Sequence, residues 1–112
     1  MSAHDLAVVD LFTGQRGLTS VPNHPNLEQL NCEDNCITSL GPYPKLEELT
    51  CQYNQLTTLP PYPLLKILYC NDNPITSLPY YPLLEEIDLD NTPMGELMQD
   101  PTSIEEYHAL YR

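Results

Sequence analysis

A stretch of 19 residues recurs three times without a gap. Leu27 to Lys45 reads LEQLNCEDNCITSLGPYPK, Leu46 to Leu64 reads LEELTCQYNQLTTLPPYPL, and Leu65 to Leu83 reads LKILYCNDNPITSLPYYPL. A fixed period of this size marks a stacked repeat chain, in which each copy is one supersecondary unit that buries its apolar face only against its neighbours. The return part of each copy cannot be a helix. In Leu59-Pro60-Pro61-Tyr62-Pro63 the prolines remove backbone donors and fix φ, which predicts an extended polyproline-type segment.

The period continues in worn form at both ends. Val8, Leu11, Thr13, Leu18 and Val21 stand one period before Leu27, Leu30, Cys32, Ile37 and Leu40, with Arg16 in the place of Asn35. They define a degenerate N-terminal repeat over 8–26. A degenerate last repeat over 84–99 keeps Leu84, Ile87, Leu89, Met94 and Leu97, but Thr92 replaces the asparagine and the proline tail is gone. Worn terminal copies are expected where one side faces water. Beyond them, Pro101 suits a first helical turn, Thr102 and Glu105 have capping-box spacing, and Ile104, Tyr107, His108 and Tyr111 share one face. This predicts a C-terminal capping helix over about 101–111. The expectation is one stand-alone domain over 1–112.

The copies share the pattern L-x-x-L-x-C-x-x-N-x-L-T-x-L-P-x-Y-P-L. Its first eleven positions match L-x-x-L-x-L/C-x-x-N/C-x-L. From Val8 to Leu97 the chain therefore resembles leucine-rich repeat proteins. The short copies are similar to those of bacterial effector proteins, and the Cys/Asn wording to repeats of giant amoeba-infecting viruses. The resemblance implies a repeat solenoid, curved and right-handed, with short parallel strands on the concave face and extended segments on the convex one. It also implies a structural ladder of Asn35, Asn54 and Asn73.

The residues carry the same reading. Leu49-Thr50-Cys51 makes a short strand, and Leu46, Leu49, Cys51, Leu56 and Leu59 point inward. An asparagine at the turn out of each strand bonds backbone groups that the curved chain leaves unpaired. Tyr43, Tyr62 and Tyr81 form a column with His24, next to a column of Pro25, Pro44, Pro63 and Pro82. Packing of the two columns as an outer spine is expected, the alternative being a Tyr-Pro docking surface. Cys32, Cys51 and Cys70 are in register as small buried hydrophobes. They stack rather than converge, no Cys-x2-Cys pair exists, and disulfides between parallel neighbours would be strained. Cys36 breaks the column and is the more exposed thiol.

Charge narrows the function. Sixteen acidic residues face four basic ones, for a formal net charge of −12. Such a chain repels nucleic acid phosphates and anionic membrane surfaces, and favours cationic partners. Met1 to Ala7 lacks a signal-peptide pattern, and no apolar run approaches spanning length. Four cysteines without a secretory signal indicate reduced thiols and a cytoplasmic location, host cytoplasm if the source is viral or an intracellular bacterium. His4, His24 and His108 are scattered, and no phosphate loop, nucleophile elbow or metal motif appears. No catalytic, cofactor or metal-ligating residues are assigned, and no enzymatic activity is expected.

What remains is the concave face. Strand residues that do not enter the core line up in columns: Asp10, Gln29, Glu48, Ile67 and Glu86, then Phe12, Asn31, Thr50, Tyr69 and Asp88, then Gly14, Glu33, Gln52, Asn71 and Asp90, then Gln15, Asp34, Tyr53, Asp72 and Asn91. Phe12, Tyr53, Ile67 and Tyr69 are apolar or aromatic where solvent is otherwise expected, and carboxylates surround them. The candidate partner-binding residues are Phe12, Asn31, Glu48, Thr50, Tyr53, Ile67, Tyr69, Asp72, Glu86 and Asp88. An aromatic centre with a charged margin suits a basic protein or peptide. The expected function is a monomeric, non-enzymatic protein–protein interaction module. Two alternatives stand beside it. One, from the resemblance, is a substrate-recognition or decoy piece related to bacterial effector ubiquitin ligases without their catalytic domain. The other is calcium binding by carboxylates in columns about 5 Å apart.

Overall fold

Leu30, Leu49, Leu68 and Ile87 are each the buried middle residue of a three-residue strand whose two flanking residues are not buried. The strands are β1 (Val8–Asp10), β2 (Gln29–Asn31), β3 (Glu48–Thr50), β4 (Ile67–Tyr69) and β5 (Glu86–Asp88), all parallel and in chain order across one sheet. The computed structural model describes residues 17–112 and, before them, the backbone of β1. Leu11, Phe12, Thr13 and Arg16 of the first copy lie outside the described residues.

From β2 onward register advances by one copy per strand: Leu30 pairs with Leu49, Leu49 with Leu68, and Leu68 with Ile87, whereas β1 sets Val9 and not the expected Leu11 opposite Leu30, and Asp10 and not Phe12 opposite Asn31. Every repeated apolar position therefore stacks on its own equivalents. Leu27, Leu46, Leu65 and Leu84 form one buried column, and Cys32, Cys51, Cys70 and Leu89 another. No helix occurs in residues 32–93, so the space opposite the sheet is filled by the irregular return segments. The parallel strands and the repeating core fit a repeat solenoid.

The tyrosine and proline columns have different jobs from the outer spine expected. The carbonyls of His24, Tyr43, Tyr62 and Tyr81 accept from the N–H of Leu27, Leu46, Leu65 and Leu84 at 3.1–3.2 Å. Each closes a turn with proline at its second position, where a fixed φ near −65° is pre-organised. Pro25, Pro44, Pro63 and Pro82 are exposed at these turns. The tyrosine rings instead enter the core and stack on one another, with centroids 6.2 Å apart from Tyr43 to Tyr62 and from Tyr62 to Tyr81. Their hydroxyls donate to the carbonyls of Pro22, Gly41 and Pro60, in each case in the preceding copy. Full burial removes the Tyr-Pro docking surface as a reading.

The asparagines tie copies together. Asn54 Nδ2 donates to the carbonyl of Cys51 in its own copy at 3.1 Å and of Cys32 in the preceding one at 3.0 Å. Its Oδ1 accepts from Ile37 N–H, also in the preceding copy, at 3.0 Å. Asn73 repeats this with Cys70, Cys51 and Leu56, and Asn35 accepts from Leu18 N–H. Thr92 takes over in the last copy, donating to Leu89 O at 2.7 Å and accepting from Gly95 N–H at 2.8 Å.

That exchange reshapes the end of the chain. A 3-10 turn forms over Gly95–Leu97. Only glycine fits its first position, because a Cβ there would collide with the Leu89 carbonyl. The turn advances the chain by one residue relative to the period. Leu97, expected in the core, is 85% exposed, and Met98 is buried in its stead.

The helix α1 spans Ile104–Ala109, shorter than the 101–111 expected. Ser103 is its N-cap, the hydroxyl accepting from Glu106 N–H at 3.1 Å. The capping pair is thus shifted one residue from Thr102 and Glu105. Asp100 captures the N–H and hydroxyl of Thr102, which holds Pro101 and Thr102 in a turn. From α1, Tyr107 is fully buried, donates to Pro79 O at 3.1 Å and accepts from Tyr81 N–H at 2.9 Å. Pro79 continues the carbonyl column of Pro22, Gly41 and Pro60. The hydroxyl that a further copy would bring from position 100, where Asp100 stands, comes instead from the helix.

Four outcomes are expected, two of them in the thiols. Asn54→Ala strands the buried Ile37 N–H and the Cys32 and Cys51 carbonyls, and urea unfolding should show a loss of about 3 kcal/mol. Tyr107→Phe strands Tyr81 N–H and Pro79 O and should cost about 2 kcal/mol in the same assay. The third outcome concerns the thiols. Burial, with a smaller push from the Glu33 charge, raises the Cys32 thiol from an ordinary 9.0 to about 12. Burial also raises Cys51 and Cys70. Ionisation is harder in the folded chain than in the unfolded one. Stability is therefore complete below about pH 9 and falls as pH rises from there toward about 12. Thermal melts at rising pH should show this. In native protein at neutral pH, a thiol reagent should modify half-buried Cys36 well before the other three cysteines.

Candidate functional site

Strand alternation fixes the site. With the middle residue of each strand inward, its neighbours lie on the opposite side of the sheet. Register then places Glu48, Ile67 and Glu86 in one column, continuous with Gln29, and Asn31, Thr50, Tyr69 and Asp88 in the next. Ile67 sits between two carboxylates of its own column. Gln29 Nε2 donates to Glu48 Oε2 at 2.8 Å, and the Tyr69 hydroxyl donates to Glu86 Oε2. The Glu86 hydrogen bond, then slight burial and the charges of Glu86, Asp88 and Glu48, push the Tyr69 phenol above its ordinary value.

The fourth column lies just beyond the strands and has a property that the sequence reading missed. Asp34, Tyr53, Asp72 and Asn91 all have positive φ, at 64°, 60°, 60° and 56°. Each opens the turn that leads to the ladder asparagine or Thr92. The left-handed region is several-fold enriched in Asp and Asn and unfavourable for a bulky side chain. Three acidic or amide residues in register at 34, 72 and 91 were the available signal. Tyr53 departs from it, and its side chain is directed to solvent, 57% exposed.

Electrostatics join these columns. Asp72 accepts from the amides of Asn71 at 2.7 Å and Asn91 at 3.0 Å, neutral donors that leave its negative charge in place. The Asp90 carboxyl is pushed up first by the charge of Asp88, then by slight burial, its hydrogen bond with Asp88, and the charges of Asp100 and Asp72. A single negative field therefore spans the last two copies. Asp88 and Asn31 also serve the backbone, accepting from Asp90 N–H at 2.9 Å and Glu33 N–H at 3.4 Å. Gln52, on the same face, keeps a buried Oε1 without a hydrogen-bond partner.

Of the candidate residues, Asn31, Glu48, Thr50, Ile67, Tyr69, Glu86 and Asp88 come together on the strands, and Tyr53 and Asp72 on the adjoining turn. Phe12 lies outside the described residues. Among the described residues no three His, Cys, Asp or Glu side chains gather as a metal-binding group. A separate open groove of about 300 Å³ lies at the other side of the last copy, between Leu78, Met94, Leu97, Leu110 and Tyr111.

This geometry meets an independent comparison. A family model described as leucine rich repeats in two copies matches residues 25–64, which contain β2, β3 and the Asn35 and Asn54 rungs. No curated protein matches the chain. Residues 25–64 are thus two leucine-rich repeats, and the copy from Leu65 to Leu83 continues their register and their hydrogen bonds.

Proposed function

We propose that the chain is a non-enzymatic protein–protein interaction module whose outer strand face takes a basic segment of a protein partner. Leucine-rich repeats generally mediate protein–protein interaction and are generally non-catalytic. The observation that carries the reading is the placement of Ile67, Tyr69 and Tyr53 on one outer face beside Glu48, Asp72, Glu86 and Asp88. Aromatic side chains there supply contact area, while the carboxylates steer a cationic partner and raise its on-rate.

The finer architecture follows the same reading. Parallel strand-to-strand connections are right-handed in about 98% of cases, so the solenoid is right-handed, with the strand face concave. The helix α1 acts as its cap, and residues 1–112 work as one monomeric domain. Reduced cysteines suit a cytoplasmic location. The negative charge disfavours nucleic acid, and among the described residues no helix is long and apolar enough to cross a membrane. A substrate-recognition or decoy role would use the same face. Calcium binding would need several carboxylate oxygens converging on one point, whereas both Asp72 oxygens face amides.

The test is capture of a partner from cell extract on immobilised protein, followed by affinity measurement with purified components. Tyr53→Ala combined with Tyr69→Ala should weaken binding more than tenfold while leaving the melting temperature within a few degrees. Binding that survives the double substitution would displace the proposed centre.

A further inference from the structure

The turn column beside the strands carries an anomaly that the interaction reading alone does not require. Positive φ at Asp34, Asp72 and Asn91 suits their side chains, whereas tyrosine at position 53 works against local preference. The phenol gains no compensating burial, since 57% of the side chain is exposed. Nor is the backbone there irregular. Asp34 N–H donates to Gln52 O at 3.0 Å, Tyr53 N–H to Asn71 O at 3.2 Å and Asp72 N–H to Asp90 O at 2.9 Å. Asp34, Tyr53 and Asp72 therefore stand on three successive turns, about 4.8 Å apart.

We infer that Tyr53 is the specificity-determining residue of the face and that it seats an arginine side chain of a basic linear segment beside Asp72. This rests on the protein-binding reading above. An exposed aromatic ring attracts a guanidinium across its face, and a planar guanidinium offers its edge to an adjacent carboxylate. Lysine, a compact and strongly hydrated ammonium, uses the ring less well. The charge complementarity comes from the acidic excess of the chain, sixteen acidic residues against four basic ones. The Asp72 carboxylate is also held in position by Asn71 and Asn91.

The probes are acetylated ten-residue peptides of alternating arginine and glycine, or lysine and glycine, with affinity read by fluorescence anisotropy at low and moderate salt. The arginine peptide should bind more tightly than the lysine peptide, and more weakly as salt rises. Tyr53→Asn installs the residue that the column carries at position 91. It should weaken the arginine peptide roughly fivefold while raising the melting temperature by roughly 3–6 °C. Tyr53→Phe should leave both nearly unchanged, and Asp72→Asn should weaken the peptide without removing the ring. Equal affinity of Tyr53→Asn and the parent protein, equal affinity for the two peptides, or a lower melting temperature of Tyr53→Asn overturns the inference. If Tyr69→Ala and Glu86→Gln weaken the peptide while Tyr53→Asn does not, the strand-face reading stands and this one falls. If no peptide binds, or no face variant changes binding, both fall.

Discussion

Asn54 holds two copies at once, and that double attachment is the condition on which the rest of the molecule depends. A copy of this length bends through its strand and back with too little backbone to pair its own polar groups. The Cys32 and Cys51 carbonyls and the Ile37 N–H are buried at the turn, and one amide satisfies all three. The cost of leaving any of them unpaired is about 1–3 kcal/mol. The tyrosine hydroxyls do the equivalent work on the opposite side, each reaching a carbonyl of the copy before. Stability is therefore a property of neighbouring pairs, as expected for a quasi-one-dimensional fold.

The site follows from this arrangement because the ladders use every inward position. The two outward positions of each strand point away from these ladders, although Asp88 and Asn31 are partly engaged by backbone. Ile67 and Tyr69 occupy strand positions where the copies of β2, β3 and β5 carry glutamine, glutamate, asparagine, threonine or aspartate. The copies thus differ most where the fold asks least of them.

How much of this was legible in the sequence depended on which residues set the outcome. The core columns of Leu, Cys and Asn were visible because from β2 onward register equals the repeat period, so sequence alignment and spatial stacking coincide there, whereas the worn first copy pairs two residues away from its expected alignment. The outward columns were visible for the same reason, and the proline tails correctly excluded a helix. The tyrosines were misplaced because a period gives position along the chain but not depth: Tyr62 could as well have lain outside, until its hydroxyl found Gly41 O. The end of the chain was the least legible. Exchange of asparagine for Thr92 allowed the turn at Gly95, and one residue of slippage sent Leu97 out and Met98 in. The helix start moved from Thr102 to Ser103 because Asp100 had already taken Thr102. These are contests between neighbouring side chains, which no periodicity encodes. The left-handed column was different, since its Asp and Asn pattern was present and simply unread.

Tyr107 has a consequence for how such a chain varies in length. It reaches the terminal seat from a helix rather than from the period, and what it contacts is generic: a proline carbonyl and a tyrosine N–H that recur, residue for residue, at Pro60 and Tyr62. These two hydrogen bonds are therefore indifferent to how many units precede the last one, whereas the packing of Tyr107, His108 and Tyr111 on Tyr80 belongs to that copy, since position 61 carries proline. An added or removed internal unit leaves the docking seat of α1 intact and shifts only the count of outward rows. The middle copies are thus interchangeable in these contacts, so the length of the outward strand face is adjustable by duplication.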